Sequence, residues 1–248
     1  MKRPAEPELR AIAGRARQLL RELQERGVTV DPGTPKTTAQ RRVVRLPLAE
    51  ATAQKNPVTL SPSKGEKERL LEPLRQKALE CRDCRLCKTR NRVAFGEGSL
   101  DAPVVFVGEG PGREEDLQGR PFVGAAGQLL TKIIQAMKLQ REEVYITNVV
   151  KCRPPENRPP EPDEAAACSQ YLKPQLETIR PRVICALGRT AAAALLETDA
   201  PMSALRGKEW AWGGIPLIVT YHPAYLLRNP SAKKLVWEDM QQVMALLK

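Results

Sequence analysis

The sequence predicts an α/β fold of three layers, with a central four-stranded parallel sheet between two layers of helices. Short apolar runs that fit buried strands alternate along the chain with segments whose apolar residues recur at helical spacing. Strands that alternate with helices form parallel sheets covered on both faces. The 248 residues and a hydrophobic content of 42% suffice for one such domain and an appendage. We therefore expect a core domain over residues 66–248 and an N-terminal extension over residues 1–65.

The N-terminal extension is the more basic part of the chain. It contains 13 Lys and Arg and 6 Asp and Glu, a net charge of +7 out of the formal +11 of the whole chain. Apolar residues at helical spacing up to Gly27 predict one amphipathic helix, and residues 31–64, rich in Pro, Thr, Ser and basic residues, predict a flexible linker. Such a segment either tracks phosphate groups or is an ordinary solvated extension.

In chain order, the core domain begins with a helix that carries apolar residues from Leu70 to Leu79, followed by a cysteine-rich segment and the strand Val104–Val107. Apolar runs predict three further strands, at residues 144–150, 183–187 and 216–221. Helical spacing predicts four further helices, at residues 125–137, 163–180, 190–196 and 233–248. We expect Asp163 to cap the second of these helices.

Charge and hydropathy limit the partners and the location. The formal charge of +11 indicates an anionic partner, with nucleic acid the first candidate and an acidic membrane surface the second. No apolar run approaches the roughly 20 residues that span a bilayer, and the first residues lack the apolar core of a secretory signal. We therefore expect a cytoplasmic protein that does not use a membrane.

A glycine-rich loop, Gly108-Glu-Gly-Pro-Gly112, follows the first predicted strand of the sheet. Its glycines allow backbone conformations closed to other residues, so a ligand can lie directly against N–H groups. The loop lacks the Lys-Ser/Thr of a P-loop and the glycine spacing of a dinucleotide site, and a tight turn without a ligand is the alternative. Asn148 and His222 lie at the ends of two other predicted strands, and a parallel sheet brings such residues to one edge.

The six cysteines are unlikely disulfide partners in a reducing compartment, so their spacing decides how each is interpreted. The pair Cys81-x-x-Cys84 has a spacing shared by zinc and iron-sulfur sites, which leaves both metals open. Cys185 lies in an apolar strand and is expected in the core. Cys87 extends the run but has no assigned role. The candidate metal ligands are Cys81, Cys84, Cys152 and Cys168.

His222 is the only histidine in the chain, so any imidazole chemistry must use it. It opens the stretch His222-Pro-Ala-Tyr-Leu-Leu-Arg228, which we expect to be a loop. A rigid proline, apolar side chains and an arginine suit a segment that enters a stacked duplex. A purely structural histidine at a strand end is the alternative.

Four stretches of the core domain closely resemble motifs of the family 4 uracil-DNA glycosylases. They are Gly108-Glu-Gly-Pro-Gly112, Gly119-Arg-Pro-Phe122-Val-Gly124, Thr147-Asn-Val-Val-Lys-Cys-Arg-Pro-Pro155 and His222-Pro-Ala-Tyr-Leu-Leu-Arg228. Together with the cysteine quartet they make the resemblance specific. It covers about residues 68–248 and leaves the extension outside. The resemblance implies the α/β/α fold of this family and its 4Fe-4S cluster, with Cys81, Cys84, Cys152 and Cys168 as the iron ligands.

The resemblance also implies a uracil site. Its residues would be Glu109, Gly110, Pro111, Phe122, Asn148 and His222, with Glu109 and His222 catalytic. Phe122 would stack on the flipped base, and His222 would bond uracil O2. Asn148 would read the pyrimidine edge, because an amide pairs with uracil O4 and N3–H but not with the reversed pattern of cytosine. Glu115 and Asn157 would support the same motifs.

The activity that the resemblance implies is hydrolysis of the N-glycosidic bond of uracil in single- or double-stranded DNA, which leaves an abasic site for base excision repair. No lysine stands where a Schiff-base nucleophile would be expected, so we expect a monofunctional enzyme, a monomer associated with the nucleoid. Tyr225, Leu226, Leu227 and Arg228 would enter the duplex. Two alternatives stay open: a relative that binds uracil-DNA without turnover and one that traps it covalently. The trapping branch carries a histidine in a basic loop, whereas Arg206-Gly-Lys-Glu-Trp210 has none.

Overall fold

In a computed structural model, which describes residues 62–248, a six-stranded sheet separates two layers of helices. Residues 1–61, with the predicted amphipathic helix and most of the predicted linker, lie outside the described residues. The strands are β1 Glu97–Gly98, β2 Val104–Gly108, β3 Tyr145–Asn148, β4 Val183–Leu187, β5 Trp210–Trp212 and β6 Ile215–Thr220, in the sheet order β1-β3-β2-β4-β6-β5.

The four central strands are parallel, as predicted. β1 and β5 add an antiparallel strand at each edge of the sheet, and neither was predicted. The reason is their length: two and three residues are too few to carry a periodic pattern. The predicted α/β/α architecture is confirmed, with a sheet of six strands in place of four.

Eight α-helices occur in the described part of the chain. They are α1 Lys64–Glu80, α2 Arg113–Gln118, α3 Ala125–Ala136, α4 Pro162–Ile179, α5 Arg189–Leu196, α6 Met202–Leu205, α7 Pro223–Arg228 and α8 Lys233–Leu246. None of the helices within residues 62–248 is both long and apolar enough to cross a bilayer.

The N-terminus of α4 differs from the prediction. The residue that caps the helix is Glu161, whose backbone N–H donates to Glu164 Oε2 at 2.8 Å. The predicted cap, Asp163, instead accepts two hydrogen bonds from Arg85 Nη2, at 2.9 and 2.7 Å. The prediction for Asp163 is therefore wrong, because Pro162 takes the first helical position and moves the start of the helix back.

The alternation of side chains along β2 divides the core into two halves. Val105 and Val107 pack in one cluster with residues of α1, α4 and α5. Val104 and Phe106 pack in the other with residues of α3, α7 and α8. Successive side chains of a strand point to opposite faces, so a fully apolar strand is buried on both sides. This packing fixes the strands whose carboxyl ends carry the candidate site.

Candidate active site

A cleft of about 570 Å³ lies at the carboxyl edge of the parallel strands. It is bounded by the segments that follow β2, β3, β4 and β6, which is where ligands bind in open α/β sheets. The predicted residues that line it are Glu109, Gly110, Pro111, Glu115, Phe122, Asn157, His222, Tyr225 and Arg228. Parallel pairing thus brings together residues that are more than 110 positions apart in the chain.

Glu115, in the first turn of α2, ties two loops of the cleft together. Its Oε2 accepts the backbone N–H of Gly112 at 3.1 Å, which closes the turn at the start of α2. Its Oε1 accepts the N–H groups of Val123 and Gly124, both at 2.8 Å. One carboxylate therefore holds the glycine-rich loop against the loop that carries Phe122. The supporting role of Glu115 in the reaction stays a prediction.

Phe122 and Asn148 lie side by side next to Gly108, the last residue of β2. A Cβ atom at Gly108 would lie 2.5 Å from Phe122 Cζ and 2.4 Å from Asn148 Oδ1, so only glycine fits there. Phe122 is 5% exposed and has φ of +53°, which is rare outside glycine. Its ring centroid is 5.5 Å from that of His222. An aromatic surface and an amide thus adjoin each other at one corner of the site.

Asn148 has a fixed backbone and an unpaired side chain. Its carbonyl oxygen accepts a hydrogen bond from Lys151 Nζ at 2.8 Å, and the residue pairs with Gly108 in the sheet. The side chain is buried, yet neither Oδ1 nor Nδ2 has a hydrogen-bond partner within residues 62–248. Leaving two buried polar atoms unpaired is costly, and binding sites are where such groups occur. Asn148 lies behind the residues that line the cleft and is not itself one of them.

His222 is the N-cap of α7, and this position selects one form of its ring. Nδ1 accepts the backbone N–H of Ala224 at 3.1 Å, so the neutral ring carries its proton on Nε2. Burial, followed by the positive charge of Arg228, lowers the pKa of His222 from 6.5 to about 4. At neutral pH the residue is therefore an uncharged hydrogen-bond donor on the wall of the cleft.

The segment after His222 is a helix and not the loop that was predicted. α7 begins at Pro223, the position in a helix that favours proline. Tyr225 and Leu227 are 39% and 49% exposed, and Arg228 is also exposed. Leu226 is fully buried in the core, so its predicted insertion into DNA is wrong for this conformation. The helix separates the two leucines, because consecutive helical residues point about 100° apart.

Asn157 reaches the cleft from the loop that follows β3. The residue has φ of +56°, in the left-handed region that asparagine tolerates better than most residues. Its Oδ1 accepts a hydrogen bond from Arg153 Nε at 2.8 Å. The next residue, Arg158, donates to both oxygens of Glu164, at 2.8 and 2.7 Å. The loop is therefore fastened to the first turn of α4.

The turn between β4 and α5 completes the cleft and was not predicted. Gly188, Arg189 and Thr190 line it, and Thr190 Oγ1 donates a hydrogen bond to Glu109 Oε2. The only sequence feature that points to this segment is its place at the carboxyl end of a parallel strand. It contains no recognisable motif.

A second pocket is lined by five cysteines from three segments of the chain. They are Cys81, Cys84, Cys87, Cys152 and Cys168. The sulfur of Cys152 accepts a hydrogen bond from Arg90 Nη1 at 3.1 Å, and that of Cys168 accepts the N–H of Lys151 at 3.3 Å. The buried hydroxyl of Tyr171, which also lines the pocket, has no partner in the described part of the chain. Cys185 is fully buried in β4, as expected.

The chemistry of this pocket favours a positively charged occupant that binds sulfur. Burial raises the pKa of Cys152 to about 11 and also raises the pKa values of Cys84 and Cys168. A group that binds these sulfurs as thiolates therefore has to supply positive charge. Within residues 62–248, no group of three or more His, Cys, Asp or Glu is arranged to hold a single metal ion. Cysteine sulfurs are ligands of both zinc ions and iron-sulfur clusters.

Taken together, the fold and the cleft define an α/β protein that binds a planar, hydrogen-bonding ring. The ring of Phe122 offers a stacking surface, and His222 offers a neutral donor. Asn148 adds a donor and an acceptor without partners nearby. Sites that take a base out of a nucleic acid combine stacking with hydrogen bonds to the edge of the base.

Comparison with known proteins identifies the particular family. The model of the uracil DNA glycosylase superfamily matches residues 95–241. The type-4 uracil-DNA glycosylase of Thermotoga maritima is 47% identical over 186 residues, which cover 73% of this chain and 97% of that protein. The type-4 enzyme of Archaeoglobus fulgidus is 44% identical over 70% of this chain and 91% of its own length. The type-5 uracil-DNA glycosylase of Pyrobaculum aerophilum is 33% identical over 59% of this chain and 71% of its own. The chain belongs to the uracil DNA glycosylase superfamily, and its relatives of type 4 confirm the predicted family.

Proposed function

We propose that this protein is a monofunctional uracil-DNA glycosylase, which hydrolyses the N-glycosidic bond of uracil in DNA and leaves an abasic site. Five type-4 relatives support this function, at 42–47% identity over 68–73% of the chain. The observation that carries it in the structure is the unpaired amide of Asn148, beside the ring of Phe122. An Asn amide at fixed orientation matches uracil O4 and N3–H, and cytosine presents the reverse pattern.

In this proposal the flipped uracil stacks on Phe122 with its polar edge toward Asn148. Gly110 and Pro111 also line the cleft. His222 Nε2–H donates to uracil O2, which gains negative charge as the bond to the sugar lengthens. The low pKa of His222 is compatible with this role, because the neutral ring keeps one N–H donor, on Nε2, while Nδ1 accepts from the Ala224 N–H. The donor thus stabilises the transition state more than the ground state.

Glu109 is the group that we assign to the attacking water. One of its oxygens accepts from Thr190, and the other has no hydrogen-bond partner among the residues described. In the reaction, the C1′–N1 bond breaks with its electron pair going to uracil. The water oxygen bonds to C1′, and the carboxylate takes the water proton. No lysine is among the residues that line the cleft, which supports hydrolysis without a Schiff base.

DNA meets the cleft at α7 in this proposal. Tyr225, Leu227 and Arg228 are exposed at its rim, which suits insertion beside the vacated base. The net charge of +11 supports binding to the phosphate backbone. We further propose that the substrate is single- or double-stranded DNA, that the protein acts as a monomer in base excision repair, and that it resides in the cytoplasm on the nucleoid.

We also propose that Cys81, Cys84, Cys152 and Cys168 hold a 4Fe-4S cluster. Their place around one buried pocket and the hydrogen bonds to two of the sulfurs support this assignment. The cluster would supply a covalent tie between the start of the domain, the loop after β3 and α4. Purified protein should be brown and contain about four irons per chain. Stoichiometric zinc without iron would contradict the assignment.

A gel assay tests the activity directly. Purified protein is incubated with an end-labelled duplex that carries one uracil, and the product is treated with alkali. Strand breaks only after alkali are expected, because an abasic site is alkali-labile and a monofunctional enzyme does not cut the backbone. Retarded DNA without breaks would indicate a binding protein. A denaturation-resistant complex would indicate covalent trapping.

A further inference from the structure

The β4–α5 turn, by which we mean Gly188 and the first two residues of α5, Arg189 and Thr190, lies in the cleft wall close to both proposed catalytic residues. It contacts Glu109, which follows β2, and His222, which follows β6. The proposed reaction gives this turn no part. Its hydrogen bond to Glu109 nevertheless bears on where that carboxylate lies.

The contact with Glu109 is a hydrogen bond from Thr190 Oγ1 to Oε2. The backbone of Glu109 is already fixed, because its carbonyl oxygen accepts the N–H of Val150 at 3.2 Å. The carboxylate itself makes no other hydrogen bond in the described part of the chain. Thr190 therefore removes the remaining rotation of the side chain and leaves one oxygen free. A hydrogen bond to a charged group is stronger than one between neutral groups.

The contact with His222 is made by the backbone of the turn. Gly188 has φ of +90°, and a Cβ atom there would lie 3.1 Å from His222 Cβ. Its N–H donates to the carbonyl oxygen of Thr220 at 2.8 Å, two residues before His222. The turn is thus fastened to β6 beside the histidine, and Thr190 extends from it to Glu109.

We infer that Thr190 is a positioning residue for the attacking water, which it directs by holding the Glu109 carboxylate. The inference rests on the proposed function and assigns a role to a residue outside the family motifs recognised in the sequence. With Oε2 held by Thr190, only the other oxygen of Glu109 is left to accept from a water molecule. Without the hydroxyl, the carboxylate samples several orientations, and few of them place the water on the line of attack.

The test compares three substitutions at this position in single-turnover assays on uracil-containing duplex. Thr190→Val keeps the shape and removes the donor, and it should lower the rate about 10- to 100-fold. Thr190→Ala also removes the donor, with a smaller side chain, and should lower the rate to a similar extent. Thr190→Ser keeps the hydroxyl and should stay within about threefold of wild type. DNA affinity should change less than about twofold in all three, because the hydroxyl addresses Glu109 and not the substrate.

Thr198→Val is the matched control. Thr198 follows the far end of α5, where its Oγ1 accepts only the N–H of Ala200 at 3.3 Å, and it does not line the cleft. The control should keep the wild-type rate. A rate for Thr190→Val equal to that of this control would overturn the inference, as would a rate for Thr190→Ser as low as that of Thr190→Val.

A double-mutant cycle with Glu109→Gln separates positioning from a general effect on the fold. If Thr190 acts through the carboxylate, Thr190→Val should have less than about a threefold effect in the Glu109→Gln background. An undiminished 10-fold loss there would contradict the inference. Failure of the proposed function is a distinct result, since wild-type protein would then release no uracil at all. Melting temperatures of every variant identify any loss that comes from unfolding.

Discussion

The cleft and the cysteine pocket share the stretch of chain that follows β3 and differ in how their polar atoms are paired. At the cleft, one oxygen of Glu109 in the lining and the amide of Asn148 behind the lining lack partners among residues 62–248. In the cysteine pocket, Cys152 and Cys168 already accept hydrogen bonds from Arg90 and from the N–H of Lys151. The cleft is arranged to gain a ligand and release it. In the cysteine pocket the buried atom without a partner in the described part of the chain is the hydroxyl of Tyr171, whereas two of the pocket's sulfurs are already oriented by hydrogen bonds.

The two regions are joined by the residues after β3. Asn148 ends the strand, Cys152 follows it in the cysteine pocket, and Asn157 returns to the cleft. Lys151 lies between them, fully buried, and donates to the carbonyl of Asn148 and to Gln175 Oε1 at 2.7 Å. A rigid pocket can therefore set the position of a reactive one. Substitutions in the cleft should change the reaction rate or the choice of base. Substitutions in the cysteine pocket should change iron content and DNA affinity.

The largest effect is expected from Asn148→Asp, which changes what the cleft accepts. The substitution replaces the amide donor by an acceptor, leaves uracil O4 unpaired and offers a partner to the amino group of cytosine. Because sites built on buried hydrogen bonds discriminate strongly, the ratio of uracil to cytosine excision should fall about 10⁴-fold. Single-turnover assays on duplexes that differ only in one uracil or cytosine measure it. An unchanged ratio would mean that Asn148 does not read the base.

The second largest effect is expected from His222→Ala, which removes the donor to O2. Loss of one such donor lowers rates about 10²–10³-fold, and DNA affinity should stay nearly constant because the bond strengthens only in the transition state. His222→Asn is the matched variant. Asparagine is a good N-cap, so it can restore the bond to the Ala224 N–H, whereas its shorter side chain does not carry an N–H group to the position of the His222 Nε2. If His222→Ala kept the wild-type rate, the imidazole would be structural and the cleft wrongly assigned.

The contrast between the regions also explains which parts could be predicted from the sequence. β4 lies at the predicted residues 183–187, because an unbroken buried run has clear ends. The cysteines have a recognisable metal-ligand spacing, and Glu109 lies in a recognisable glycine-rich loop. No local sequence pattern marks Thr190, because its role depends on Glu109, which is 81 residues away. Leu226 and Leu227 are alike in sequence, and only the helix that contains them makes one buried and the other exposed.

A smaller effect is expected in the pH dependence of folding. The pKa of His222 is about 4 in the folded protein and 6.5 as its ordinary value, so between these values the unfolded chain binds a proton that the folded chain does not. The free energy of unfolding should therefore fall as the pH drops from about 6.5 to about 4, by at most about 3 kcal/mol. Urea denaturation of wild type and His222→Asn at several pH values isolates this contribution. If the free energy of unfolding changed with pH in the same way in both proteins, the imidazole of His222 would already be solvated in the folded protein.

The smallest effect on the reaction is expected from Cys152→Ser, which acts on the rigid region alone. Iron content should fall, and the loop over residues 153–160 should loosen. Reordering one residue on binding costs about 1–2 kcal/mol, so DNA affinity should weaken about tenfold. The single-turnover rate at saturating enzyme should change less than about threefold, because Asn148 and His222 keep their places.

Cys87→Ser is the matched control for Cys152→Ser, since Cys87 lines the same pocket without a proposed bond to iron. It should retain both iron and affinity. If Cys152→Ser instead slowed the chemical step as strongly as it weakened binding, the two regions would not be separable. The cysteine pocket would then determine the geometry of the reacting groups themselves, because the displacement of the loop after β3 would have reached Asn148 through Lys151.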